Sequence, residues 1–133
     1  MVKFTASIEQ TETDPVMDLT MCLLNSVTAT HIQHWVTTSN SQHMALGDFY
    51  DKVSDLVDEF AESFQGVYGV LTKFPTTYEL PFTDPIAYMA YLQAELKRLR
   101  KAPGFPQDSE LQNSLDEIAT LINRTKYRLE RLK

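Results

Sequence analysis

The chain has 133 residues, of which 43% are hydrophobic and 23% charged; that length carries one hydrophobic core, and the composition excludes a disordered or low-complexity chain. The formal net charge of −6 is unevenly spread, with three basic and twelve acidic residues over 1–94 against nine basic and six acidic over 95–133. Most of the surface would therefore repel a phosphate backbone, so direct nucleic-acid binding is disfavoured.

The opening "MVKFTASIEQTETD" has no charged segment followed by an apolar run, which predicts a polar N-terminal segment over 1–14 rather than a secretory leader. Asp14 and Pro15 then start the first helix, because aspartate caps free amide groups and proline fits the first helical position. It is predicted over 15–38, with apolar Val16, Leu19, Leu23, Val27 and Trp35. Cys22, the single cysteine, lies within "LTMCLL" and reads as a small core residue; no intrachain disulfide is possible, which fits a reducing compartment. The polar run 37–42 forms a turn in which Ser39 or Ser41 caps the second helix, predicted over 42–68. Leu46, Phe49, Val53, Leu56, Val57, Phe60 and Phe64 share one side of that helix, and Gly66 and Gly69 end it.

A joint over 70–82, "VLTKFPTTYELPF", precedes a second Asp-Pro start at Asp84 and Pro85. Its thirteen residues span roughly 43 Å when extended, enough to run the length of a helix of about 27 residues. The third helix continues to the break "PGFP" at 103–106, and the fourth runs from Asp108 or Ser109 to near the C-terminus on a stripe of Leu111, Leu115, Ile118, Leu121, Ile122 and Leu129. The basic clusters at 97–101 and 124–133 complement the negative ends of these two helices. One all-α domain spanning 1–133 follows: a four-helix bundle with ferritin-type topology and one long crossover. No span of about 18 apolar residues is present for a membrane helix, and the expected location is the cytoplasm.

The stretch "THIQHWVTTSNSQH" at 30–43 holds all three histidines and the only tryptophan. Histidine is the commonest metal ligand, although a histidine on a helix more often packs half-buried. On the second helix His43, Gly47, Asp51, Ser54, Asp58, Glu62 and Gln65 fall opposite or beside the apolar side, which by itself describes a solvated acidic face. Two features point further. Gly47 costs about 1 kcal/mol in a helix interior and suits a close approach by a backbone or ligand. Residues 19–47 contain no charged side chain, so much of the first helix is expected to be enclosed, in part by another subunit.

With "HW", His43 and "DEFAE" at 58–62, the sequence resembles the Dps mini-ferritins, in which two histidines of one subunit and an aspartate and glutamate of its two-fold partner hold iron. The resemblance covers about 15–69 and implies Asp58 and Glu62 as carboxylate ligands and His43 as a histidine ligand, with no catalytic residues apart from the ligands. For the other histidine it leaves His34, which stands beside Trp35 but only nine residues before His43, or His31, which stands twelve before it. It further implies a homo-oligomer built through the first two helices and Fe(II) oxidation. The same donors also suit zinc or manganese. The chain is likewise similar to short ferritin-like proteins encoded by phages, for which the location would be the host cytoplasm. A non-catalytic ferritin-like structural or interaction protein is the competing expectation. No Glu-x-x-His pair exists for an internal di-iron site, so any metal is expected between subunits.

Overall fold

A computed structural model describes residues 14–80 and 84–133; the expected polar segment lies almost entirely outside them. The described residues hold four helices and no strand: α1 (Pro15–Val36), α2 (Asn40–Tyr68), α3 (Pro85–Leu99) and α4 (Ser109–Arg131). The start signals act as expected. Asp14 accepts from the amides of Val16 and Met17, and Asp84 from those of Ile86 and Ala87. Ser39 accepts from Gln42 N–H at 3.2 Å, so α2 begins two residues earlier than predicted and the turn between α1 and α2 shrinks to residues 37–39. At the far end α2 passes through Gly66 and stops at Gly69, whose φ of +98° is costly for a residue with a Cβ.

Helix α1 packs against α2 and α3, and α4 packs against the same two, so the four form a ring with α1 and α4 on one diagonal. Neighbours run antiparallel. Arg128 near the end of α4 pairs with Asp48 near the start of α2 at 2.8 Å, while Tyr68 at the end of α2 donates to Asp108 before α4 at 2.5 Å. On the opposite side Asp18 at the start of α1 faces Glu95 and Arg98 at the end of α3. The end of α2 and the start of α3 therefore lie at opposite ends of the ring. The intervening chain passes over α1 and α3: Lys73 and Pro75 lie beside Met17, Asp18, Tyr91 and Glu95, and Leu71 and Leu80 pack on the core.

The core takes its largest buried side chains from every helix, among them Leu19, Leu23, Phe49, Phe60, Tyr88, Leu92, Leu115 and Ile122. Each such side chain stabilises the fold by about 1.5–3 kcal/mol when removed from water. Leu56, Phe64 and Leu121 of the expected stripes are only partly covered. Part of the uncharged run is enclosed within the chain itself, since Thr20, Ser26 and Thr30 of α1 are buried. Two of these hydroxyls are satisfied on their own helix, Ser26 donating to Leu23 O and Thr30 to Ser26 O, both at 2.6 Å. The remainder faces outward. Trp35, expected on the apolar stripe, is 70% exposed, Val36 is 73% exposed, and Leu24 and Met44 are also open.

Candidate functional site

The short turn between α1 and α2 sets His34 of the first helix against His43 of the second. His34 Nδ1–H donates to the His43 carbonyl at 2.6 Å, and His43 Nδ1–H donates to the His34 carbonyl at 2.8 Å. A carbonyl only accepts, so both Nδ1 atoms carry hydrogen, and in the neutral form of either ring the lone pair is at Nε2. The two rings stack 3.6 Å apart, 16° from parallel. This reciprocal staple explains Gly47. A Cβ there would stand 3.1 Å from His34 Cε1 and 3.3 Å from Nδ1, so the close approach anticipated at this glycine is made by the His34 ring.

Next to the staple the rings continue. His31 stacks on Tyr50 at 4.1 Å and lies 4.5 Å from Trp35, and it meets His34 edge-on at 6.0 Å with a 64° angle between planes. All three histidines are partly buried, whereas Trp35 covers His31 from the solvent side. Tyr50 was not singled out from the sequence. Its position seven residues beyond His43 on α2 is the signal that could have found it, since it returns to the α1 side after two helical turns.

The ring geometry separates the possible ligand pairs. An ion bound in the plane of His34 would lie well out of the plane of His43, because the stacked rings are nearly parallel. These two histidines therefore do not converge on one ion. The rings of His31 and His34 are not stacked on each other: they meet at 64° and so are not subject to that restriction.

Asp58 and Glu62 are elsewhere. They are exposed on α2, fifteen and nineteen residues beyond His43, which is roughly 22 and 28 Å along the helix at 1.5 Å per residue. Among the described residues no three His, Cys, Asp or Glu side chains are grouped to hold a metal ion. One chain thus brings the histidines together and leaves the two carboxylates apart from them.

A second polar cluster lies beneath the 69–84 connection. The Tyr91 hydroxyl lies beside the Cys22 thiol. Burial, reinforced by the nearby Glu95 charge, pushes the thiol up to about 11, against which the Tyr91 hydroxyl acts only weakly. Cys22 is consequently a neutral, half-buried thiol at neutral pH.

The described residues thus form four helices and no strand, with a histidine and aromatic cluster closing one hairpin end. The chain belongs to DUF5856, a family of unknown function, whose model matches residues 34–129. That span includes His34, His43, Asp58 and Glu62 and begins after His31. No curated protein matches the chain, and no solved structure does.

Proposed function

We propose that this protein is a ferritin-like, Dps-like homo-oligomer that binds a divalent metal between two copies, with iron as the metal it handles. The observation that carries this reading is the fixing of His34 Nδ1 on a backbone carbonyl, which leaves Nε2 free; metal-binding histidines are oriented in this way by the partner of their other nitrogen. His31 and His34 would supply the nitrogen ligands, and Asp58 and Glu62 of a second copy the carboxylates. His43, expected as a ligand, becomes the residue that positions His34. The connection between opposite ends of two antiparallel hairpins supports the ferritin-type topology. The exposed Trp35 and Leu24 on the uncharged run support contact with another copy through α1 and α2. Iron held by nitrogen and carboxylate donors with open positions can react with oxygen or peroxide, and zinc or manganese suits the same donors.

Anaerobic titration with Fe(II) tests binding, and later admission of oxygen or peroxide tests oxidation separately. His34→Ala, His31→Ala and the Asp58→Ala, Glu62→Ala double variant are each expected to lose most of the bound metal, while His43→Ala retains more. Equal binding by wild type and the carboxylate double variant would overturn the metal reading.

A second reading is favoured by the same staple. Rings that satisfy each other and two carbonyls are sufficient to lock a turn, and a non-catalytic assembly protein needs no more than that. Metal-free protein that still assembles, and that loses its two-fold contact in α1–α2 variants, would select it.

A further inference from the structure

Most basic residues of this acidic chain lie in α3, α4 and the turn between them, and three of them line the groove between these two helices. The groove between α3 and α4 is lined by Gln93, Leu96, Lys97, Arg100, Lys101 and residues of α4, with no carboxylate among its lining residues. Arg100 is held in place there: its Nε donates to Gln112 Oε1 at 2.8 Å, and one terminal nitrogen donates to Asp116 at 2.7 Å and to the Gln112 carbonyl at 2.9 Å. Arg98 is likewise engaged, with Glu95. Lys97 and Lys101 are exposed and belong to none of the ion pairs among the described residues.

The complementary surface is on α2. That helix carries six acidic side chains and one basic one, Lys52. Asp55 and Glu59 lie toward α4, in a groove that also holds Lys52, Arg124 and Arg128; both are exposed and belong to none of the ion pairs among the described residues, whereas Arg128 is taken up by Asp48. Separated by four positions on α2, Asp55 and Glu59 present two carboxylates about one helical turn apart, and Lys97 near the end of α3 and Lys101 in the turn just after it present two ammonium groups on one groove. One chain cannot join the two pairs. They sit on diagonal helices, α2 and α3, which make no direct contact.

We propose that the Lys97 and Lys101 edge of one copy docks on the Asp55 and Glu59 edge of another, forming a head-to-tail contact distinct from the α1–α2 face. The occupant is a second copy because the chain itself supplies the matching charge, at a net charge of −6 that disfavours a polyanion at this groove. Such a contact is heterologous, so repeated use closes a ring or extends an assembly, whereas a two-fold contact alone stops at a dimer. It uses neither the histidines nor Asp58 and Glu62, and it stands whether or not a metal binds.

Sedimentation velocity of the full chain at micromolar concentration, at low and high salt, tests it. Wild type is expected to form species larger than a dimer that shrink as salt is raised. Lys97→Glu, Lys101→Glu and, separately, Asp55→Lys, Glu59→Lys should each abolish them while keeping the helical circular-dichroism signal. Mixing the two double variants should restore association, through one charge-swapped and one native contact, giving species larger than either variant alone when Trp35→Asp is also present to block the α1–α2 face. Wild-type size in the lysine variant, a monomeric wild type, or failure of the mixture to associate would overturn the proposal. So would salt-sensitive binding of a DNA duplex that requires Lys97 and Lys101 without any change in self-association.

Discussion

At Gly47 two effects of opposite sign compete. Alanine is the better helix former by about 1 kcal/mol, but its methyl group would press on His34. The ring cannot swing aside cheaply, since it is bonded to the His43 carbonyl and stacked on the His43 ring. Gly47→Ala is therefore expected to lower the melting temperature in the wild-type background and to raise it in a His34→Ala background. Gly66 provides the contrast: a Cβ there meets nothing within 4 Å, and Gly66→Ala should stabilise by about 0.5–1 kcal/mol. Thermal and denaturant melts of wild type and the four variants, the His34→Ala background included, check both statements, and a stabilising Gly47→Ala with His34 intact would show that the staple is loose. Cys22 gives a pH dependence. Its folded value of about 11 lies above the ordinary 9.0, so the unfolded chain releases the proton first. Stability should be unaffected by this group below about pH 9 and fall as pH rises from there to about 11. Alkylation of the native thiol should be correspondingly slow at pH 8, with Tyr91→Phe removing the donor that favours the thiolate and slowing it further.

Helix boundaries show which signals in a sequence are local enough to read. Asp14-Pro15 and Asp84-Pro85 were legible because a cap acts within three residues of itself, and both carboxylates make the expected bonds. Asp108 has the same residue type at the same position but makes no capping bond, since its carboxylate accepts from Tyr68, forty residues away. Asp14→Ala and Asp84→Ala should each cost about 1 kcal/mol, whereas the cost of Asp108→Ala should disappear in a Tyr68→Phe background. Equal costs in both backgrounds would mean that Asp108 acts through the helix dipole alone. The histidine cluster divides in the same way. Its crowding into thirteen positions was visible, and so was the need for space at Gly47. The pairing of His34 with His43 depends on the antiparallel register of α1 and α2, which a turn of three residues fixes and a turn of six would shift. The outward face of Trp35 does not follow from its apolar character, since the side chain is 70% exposed among the described residues.

On the scale of the whole molecule, the length of the 70–82 joint told that the two hairpins are connected across the bundle, but not which groove the chain follows. Lys73 and Pro75 place it over α1 and α3, where Lys73 adopts a φ of +62° that a side chain rarely takes. The residues from 72 to 79 are all exposed, so the connection contributes little to the core between Leu71 and Leu80. Lys101, the other lysine between helices, sits in a turn closed by Ala102 N–H to Leu99 O at 3.1 Å and Phe105 N–H to Ala102 O at 3.0 Å. Limited trypsin treatment should therefore cut between the hairpins after Lys73 before it cuts after Lys101. The fragments 1–73 and 74–133 should remain together on size exclusion, because each hairpin buries its apolar face on the other through the α1–α3 and α2–α4 contacts. Denaturant should then separate them at a lower concentration than unfolds the uncut chain, by an amount that grows as the fragments are diluted, since cutting makes association bimolecular. Release of a freely folded α1–α2 hairpin on cleavage would show that the crossover, rather than the shared core, holds the two halves in place.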